Sequence, residues 1–294
     1  MQWNADWGLR GRMLLTMVLL GVLYVFFIGA LATAGIGLLG IVVVMGLFSF
    51  AQLFFSDKLA LRSMGAHVAD EDEYPELHDS VGRLAQQADL PKPQVAVADS
   101  QVPNAFATGR SKSSATVCVT TGIMETLDQD ELEGVLAHEL AHIKNRDVMV
   151  MTIASFLSTI AFIIVRWGWL FSGGHGHGRG NNQAPIWVAI LISLVVWIVS
   201  FLLIRALSRY REYSADRGGA IITGQPSALA SALMKISGRM DKVPKDDLRE
   251  QAEMNAFFII PITKGFIGNL FRTHPQTEKR IERLQELERE META

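Results

Sequence analysis

The sequence contains very little cysteine and no marked excess of charge of either sign. Cys118 is the only cysteine among 294 residues, and one thiol can form neither a disulfide framework nor a cysteine-ligated zinc cluster. Because Cys118 lies in the apolar segment 115–120, we expect a buried strand residue rather than a reactive thiol. The 27 basic residues are offset by 30 acidic ones and form no polybasic stretch, so binding of nucleic acid is not indicated.

Apolar sequence, in contrast, is abundant. Hydrophobic residues make up 49% of the chain and charged residues 19%, which is more apolar than a soluble domain of this length. Residues 13–55 contain no charged residue or histidine, and this run is about twice the roughly 20 residues that one membrane-spanning helix needs. We expect two spans joined by a turn near the glycines of residues 32–37. A cleaved signal peptide over residues 1–32 is an alternative, but the length of the run favours an uncleaved span.

Two further apolar segments, residues 148–165 and 184–204, are each long enough to cross a membrane. The glycine-rich segment 172–183 between them predicts a solvated hairpin loop, and we assign no metal role to its two histidines, His175 and His177. Lysine and arginine near span ends are retained on the cytoplasmic side, and most such residues flank the ends that would meet on one membrane face. The polar regions 56–147 and 205–294 are therefore expected in the cytoplasm.

The two polar regions can form one domain because they emerge on the same face. Helical spacing is present over residues 73–90, 208–222, 227–238 and 275–290, and short strand patterns cover residues 95–98 and 116–120. Asp128 and Glu131 form a capping-box pattern that predicts the start of another helix. The sequence thus predicts a mainly α membrane protein, in which two helical hairpins (13–55 and 148–204) provide four transmembrane helices for an α+β cytoplasmic domain.

The helix predicted after Asp128 contains the pattern HExxH, with His138, Glu139 and His142. Two histidines four residues apart lie on one helix face, where both imidazoles can bind one divalent metal ion. A carboxylate beside them can take a proton from a water molecule that the metal has made acidic and pass it to a leaving amine. The sequence therefore predicts a hydrolytic metal site on this helix.

A catalytic zinc site needs a third protein ligand from elsewhere in the chain. Glu212 is the strongest candidate, because the hairpin of residues 148–204 would return it to the membrane face on which His142 lies. Asp216 lies one helical turn further on and could accept the N–H of a ligating imidazole. A solvated charge cluster at the end of a span remains the alternative for this segment.

With these motifs the chain resembles the HtpX-type membrane zinc endopeptidases, which belong to the gluzincin group together with the CAAX prenyl proteases. The resemblance covers nearly the whole chain, and its motifs occur in the expected order: the paired N-terminal spans, Val102–Gly109, His138–His142, Glu212–Asp216 and Thr273–Pro275. It implies a zincin-like metalloprotease fold for the cytoplasmic domain and one zinc ion per chain. The zinc ligands that it implies are His138, His142 and Glu212, with Glu139 as general base and acid.

The same resemblance implies three further roles. Asp216 would support a zinc ligand, Asn104 would lie in an edge segment that aligns the substrate backbone, and His274 would stabilise the tetrahedral oxyanion. From the residues alone, a Pro-Asn turn explains Asn104 equally well. A helix start with Pro275 at its first position explains the segment around His274 better.

The leading hypothesis is a zinc-dependent endopeptidase of the cell inner membrane that faces the cytoplasm. By resemblance, its substrates would be damaged or misfolded membrane proteins under stress. One alternative is a CAAX-type prenyl-protein endopeptidase, although four spans are fewer than the large helical chamber of those enzymes demands. Another is a non-enzymatic membrane receptor or transporter with a structural metal, in which Glu139 would have no purpose. Imidazole and carboxylate ligands also accept divalent ions other than zinc.

Overall fold

The computed structural model describes residues 7–33, 57–172, 186–240 and 275–293, together with isolated positions between 43 and 54. These residues are mostly helical and contain one small sheet. The helices are α1 (Trp7–Thr33), α2 (Pro75–Gln87), α3 (Thr121–Thr126), α4 (Gln129–Asn145), α5 (Asp147–Ser172), α6 (Ile186–Thr223), α7 (Pro226–Met240) and α8 (Thr277–Glu292). The strands are β1 (Ala66–Val68), β2 (Gln94–Ala98), β3 (Ala105–Thr108) and β4 (Thr116–Thr120).

The chain divides into two compact units. One comprises Met1–Asp6, Phe54–Met149 and Ser208–Ala294, and the other comprises Trp7–Leu53 and Val150–Leu207. Helix α6 contributes residues to both units as one uninterrupted helix.

Three helices of the described residues are long and apolar enough to cross a membrane. The candidate spans are Trp7–Ala30, Asp147–Arg166 and Trp187–Thr223, with mean hydropathies of 2.5, 2.5 and 2.8. The exposed side chains of α1 include Leu14, Val22 and Val25, and such an apolar surface suits lipid rather than water. The second predicted span falls mostly on residues 34–56, which lie largely outside the described residues, so the count of four stays a prediction.

The unit that carries the HExxH helix contains a four-stranded sheet in the order β1-β2-β4-β3. The central strands β2 and β4, which run parallel, confirm the two strands that the sequence predicts. Cys118 lies on β4 and is fully buried, as expected. Strands β1 and β3 pair antiparallel at the two edges of this sheet. The three-residue strand β1 has no counterpart among the predicted elements.

Helix α4 begins at the predicted capping box. The N–H of Glu131 donates to Oδ1 of Asp128 at 3.0 Å, and the N–H of Asp128 donates to Oε2 of Glu131 at 3.0 Å. Glu131 also accepts hydrogen bonds of 2.6 Å from the hydroxyl of Ser231 and from Nζ of Lys235, which fasten the start of α4 to α7. Val135 belongs to the apolar core below the helix. The position of the HExxH residues is therefore fixed at both the capped end and the buried face.

Candidate metal centre

The two histidines of the HExxH motif meet on one face of α4, as their spacing predicts. Their rings are perpendicular with centroids 4.7 Å apart, and the two Nε2 atoms lie 3.2 Å from each other. His138 is buried, and the side chain of His142 is 13% exposed. Both Nε2 atoms therefore point to one common place beside the helix.

Glu212 of α6 brings a carboxylate to the same place. Its Oε2 lies 3.7 Å from Nε2 of His138, and its Oε1 lies 3.6 Å from Nε2 of His142. One potential ligand atom from each of the three residues lies within 4.8 Å of the others. Because α6 continues without a break from the candidate span to Thr223, the sequence prediction of a helix over residues 208–222 is confirmed, although it is not a separate helix.

Gly219 allows α6 to approach α4 this closely. Glu212, Asp216 and Gly219 follow the helical spacing i, i+4 and i+7 and therefore share one face of α6. A Cβ atom at position 219 would lie 2.8 Å from the backbone nitrogen and 3.0 Å from the Cα of His138. Only glycine fits at this crossing without moving one of the two helices.

Each candidate histidine ligand has a carboxylate behind it. Nδ1 of His138 lies 3.0 Å from Oδ1 of Asp216, as the sequence suggests for Asp216. Nδ1 of His142 lies 2.5 Å from Oδ2 of Asp147, the first residue of α5. A carboxylate at the distal nitrogen of a metal-binding imidazole fixes the ring and its tautomer. Both rings are thereby set to present Nε2 to the common place.

The contact between Asp147 and His142 depends on a break in the helix. Arg146 ends α4 in the left-handed conformation, with φ 55° and ψ 42°. Residues five apart on an uninterrupted helix do not face each other, so this change of direction turns Asp147 back towards His142. Nε of Arg211 lies 3.0 Å from the other oxygen of Asp147.

Arg280 of α8 binds Asp216, the carboxylate behind His138. Its Nε donates to Oδ2 of Asp216 at 2.9 Å and its Nη2 donates to Oδ1 at 2.7 Å. Its Nη1 lies 3.9 Å from Oε2 of Glu212. Burial alone would lower the pKa of Arg280, but Asp216 raises it above its ordinary value, and the guanidinium therefore stays charged.

Glu139 is buried beside the histidines and is anchored to the sheet. Its Oε2 accepts a hydrogen bond of 2.8 Å from the backbone N–H of Ala107 on β3. That N–H is available because Thr120 of β4 donates its N–H to the C=O of Asn104, so the backbone groups of Ala105 and Ala107 point away from β4. Burial raises the pKa of the Glu139 carboxyl above its ordinary value, which suits a group that accepts and returns a proton.

The distances fit a divalent metal ion. Tetrahedral zinc with ligands at about 2.0–2.1 Å would hold its ligand atoms roughly 3.3 Å apart. The two Nε2 atoms are 3.2 Å apart, and each lies 3.6–3.7 Å from one of the two oxygens of Glu212. Burial alone would lower the pKa of His138, but Asp216 and Glu212 raise it to about 9. The surroundings of His138 therefore favour a positive charge.

A count of charges supports the same conclusion. Among the described residues, the charged groups around the imidazoles are four carboxylates (Glu139, Asp147, Glu212 and Asp216) and two arginines (Arg211 and Arg280). With neutral imidazoles this cluster carries a surplus of two negative charges, which is costly to bury without compensation. A divalent cation would balance it.

Two further residues that the sequence singles out, Asn104 and His274, differ in whether the structure describes them. Asn104 is fully buried immediately before β3, and its N–H donates to the hydroxyl oxygen of Thr120 at 2.9 Å. His274 lies outside the described residues, as do His175 and His177 of the glycine-rich segment. Sequence reasoning missed Asp147, Arg211, Gly219 and Arg280.

An HExxH helix that carries two histidines and a glutamate, with a carboxylate from a second helix beside it, is the arrangement of a metalloprotease site. A family model described as "Peptidase family M48" matches residues 71–288. The chain belongs to this family. Together with its apolar helices, this membership makes it a membrane metalloprotease, as the sequence predicts.

Similar proteins of high identity are named as proteases. "Protease HtpX homolog 2" of Methanosarcina mazei is 57% identical over 99% of this chain and 99% of its own length. "Protease HtpX homolog" of Moorella thermoacetica is 53% identical over 99% of this chain and 98% of its own. Among solved structures, S. mikatae Ste24p has a similar fold, with a TM-score of 0.54 at 18% identity, covering 90% of this chain and 62% of that one.

Proposed function

We propose that this protein is a zinc-dependent endopeptidase in which His138, His142 and Glu212 hold one zinc ion. The observation that carries the proposal is the convergence of the three ligand atoms within 4.8 Å of one another, next to the buried carboxylate of Glu139. In this arrangement Asp216 and Asp147 fix the two imidazoles. Zinc is preferred because two imidazoles, one carboxylate and an open position are its usual catalytic set.

The substrate backbone is proposed to bind along β3. This strand is at the edge of the described sheet, and the register with β4 leaves the backbone N–H and C=O of Ala105 facing outward. An extended peptide can pair with such an edge as an additional strand. Ala107 directs its own N–H to Glu139, so the peptide would lie next to the proposed general base. Asn104 would fix the start of this edge through its buried contacts with Thr120.

The chemistry follows from these positions. A bound zinc ion supplies Lewis acidity to the scissile carbonyl and to the attacking water molecule. Glu139 would take the proton of that water and deliver it to the leaving amine, while the hydrogen bond from Ala107 to Oε2 holds its carboxylate in place. His274 is proposed, by resemblance alone, to donate a hydrogen bond to the oxyanion.

The cellular setting belongs to the same proposal. Four transmembrane helices, two in residues 13–55 and two in 148–204, would place the catalytic regions 56–147 and 205–294 in the cytoplasm, at the inner membrane. The basic residues near the span ends support this orientation. The high identity to the HtpX homologues supports a protease, and the degradation of damaged or misfolded membrane proteins is proposed by resemblance alone.

The proposal is tested with the substitution Glu139→Gln in the full-length protein. We expect cleavage of a misfolded membrane protein to fall by at least about 100-fold, because general acid–base catalysis contributes roughly 10²–10⁴-fold. Zinc content should stay equal to that of wild type, since Glu139 is not a ligand. Glu125→Gln is the matched control, because Glu125 is exposed on α3. Undiminished proteolysis by Glu139→Gln would refute the mechanism.

A further inference from the structure

Arg280 occupies a position that its helix otherwise reserves for apolar residues. Leu284 and Leu287 form the buried edge of α8, and Arg280 precedes them at i−4 and i−7 on the same face. It is 1% exposed and is among the largest fully buried side chains. An arginine is almost never fully buried unless it is paired, so its partners are expected to explain why it is there.

Two carboxylates of the candidate metal centre are partners of Arg280. Asp216 accepts two hydrogen bonds from the guanidinium, of 2.9 and 2.7 Å, and the same carboxylate lies 3.0 Å from Nδ1 of His138. The third guanidinium nitrogen, Nη1, lies 3.9 Å from Oε2 of Glu212. One side chain of α8 therefore touches the carboxylate behind one candidate ligand and approaches a second candidate ligand directly.

Stabilisation of the fold alone is a poor explanation for this arrangement. Replacement of a buried ion pair by apolar residues of similar volume is often neutral or stabilising, and α8 already packs through Leu284 and Leu287. A bidentate guanidinium–carboxylate pair, in contrast, fixes the orientation of the carboxylate. In this structure the fixed carboxylate is the one that orients His138.

We propose that Arg280 is a positioning residue of the metal centre and that α8 completes the centre by docking this one side chain. Arg280 holds Asp216 so that His138 presents Nε2 to the metal. Nη1 of Arg280 restrains Glu212. The inference rests on the proposed metal site and adds a residue from a helix about 140 positions after the HExxH motif. Loss of a partner behind a metal ligand typically lowers metal affinity by about 10–100-fold.

The experiment uses full-length protein in detergent and two substitutions. Arg280→Lys keeps the charge but lacks the planar fork, and Arg280→Met removes both. Arg289→Met is the matched control, because Arg289 is exposed on the same helix and its Nε donates to the backbone C=O of Gln285. Leu284→Ala removes an apolar contact of α8 and lowers stability without changing a charge.

Three quantities are measured: the affinity for Zn²⁺ by competition with a chelator, the visible spectrum of the Co²⁺-loaded protein, and the midpoint of thermal unfolding. We expect the Zn²⁺ affinity to fall about 10–100-fold in Arg280→Met and by less in Arg280→Lys, with an altered Co²⁺ spectrum in both. Arg289→Met should match wild type, and Leu284→Ala should unfold at a lower temperature with the wild-type Co²⁺ spectrum.

The possible failures are distinguishable. If wild type binds Zn²⁺ but both Arg280 variants keep its affinity and Co²⁺ spectrum, Arg280 is only part of the fold and the inference is wrong, while the proposed function stands. If Leu284→Ala changes the Co²⁺ spectrum as much as Arg280→Met does, the effect comes from loosening of α8, and the inference is wrong again. If wild type binds neither ion, both proposals fail together.

Discussion

The substitution Gly219→Ala probes the helix crossing that brings Glu212 to the histidines. The added Cβ would lie 2.8 Å from the nitrogen of His138, 3.0 Å from its Cα and 3.2 Å from the carbonyl carbon of Ala137. All three are backbone atoms, so no change of side-chain rotamer can relieve the clash. The two helices must separate.

The size of the effect follows from these distances. Ordinary contact starts at 3.4 Å, so the nearest pair must move apart by about 0.6 Å. Overpacking of this kind costs about 1–3 kcal/mol of stability. Because Glu212 and Asp216 share the face of α6 with Gly219, the same shift moves both carboxylates away from the imidazoles. A misplacement of about 1 Å can cost roughly 100-fold in rate, and a shift of this size is therefore expected to cost about tenfold or more.

The assay combines Zn²⁺ affinity by chelator competition, the rate of cleavage, and thermal unfolding. Gly82→Ala is the matched control, because Gly82 lies within α2 and its Cβ would meet only the flexible side chain of Lys92, at 3.7 Å. This control should gain stability slightly, as alanine favours a helix. If Gly219→Ala retained wild-type affinity and rate, the close crossing would not position the ligands, and the account of α6 would be refuted.

Two further predictions concern Asp147 and Cys118. Asp147→Asn should lower Zn²⁺ affinity by about 10–100-fold, because the orienting carboxylate behind His142 loses its charge; an unchanged affinity in chelator competition would show that the contact has no such role. Burial raises the pKa of Cys118 to about 12, so native protein should resist alkylation at pH 8 and react only when unfolded. Mass spectrometry would detect the adduct, and rapid labelling of the native chain would contradict the buried position on β4.

Much of the site was predictable because local spacing determines it. Histidines four residues apart must share a helix face, and the capping box at Asp128 marks where that helix begins. The order of the apolar segments also predicts the long-range contact, because a helical hairpin between His142 and Glu212 can return Glu212 to the membrane face on which His142 lies. For the same reason the two central strands, each a run of apolar and β-branched residues, are evident from the sequence.

The remaining site residues depend on geometry that sequence patterns do not contain. Asp147 reaches His142 only because Arg146 adopts the left-handed conformation. The presence of an arginine does not predict this conformation. Arg280 lies in a helix with many charged residues, where nothing distinguishes it from Lys279 except its spacing from the apolar edge. That spacing was the one available signal.

The most direct test of the account is a crystal structure of the zinc-loaded protein with anomalous diffraction data collected at the zinc absorption edge. We predict a single anomalous peak within about 2.0–2.2 Å of Nε2 of His138, Nε2 of His142 and a carboxylate oxygen of Glu212. A peak elsewhere in the chain, or one at the two histidines with another residue in the place of Glu212, would contradict it.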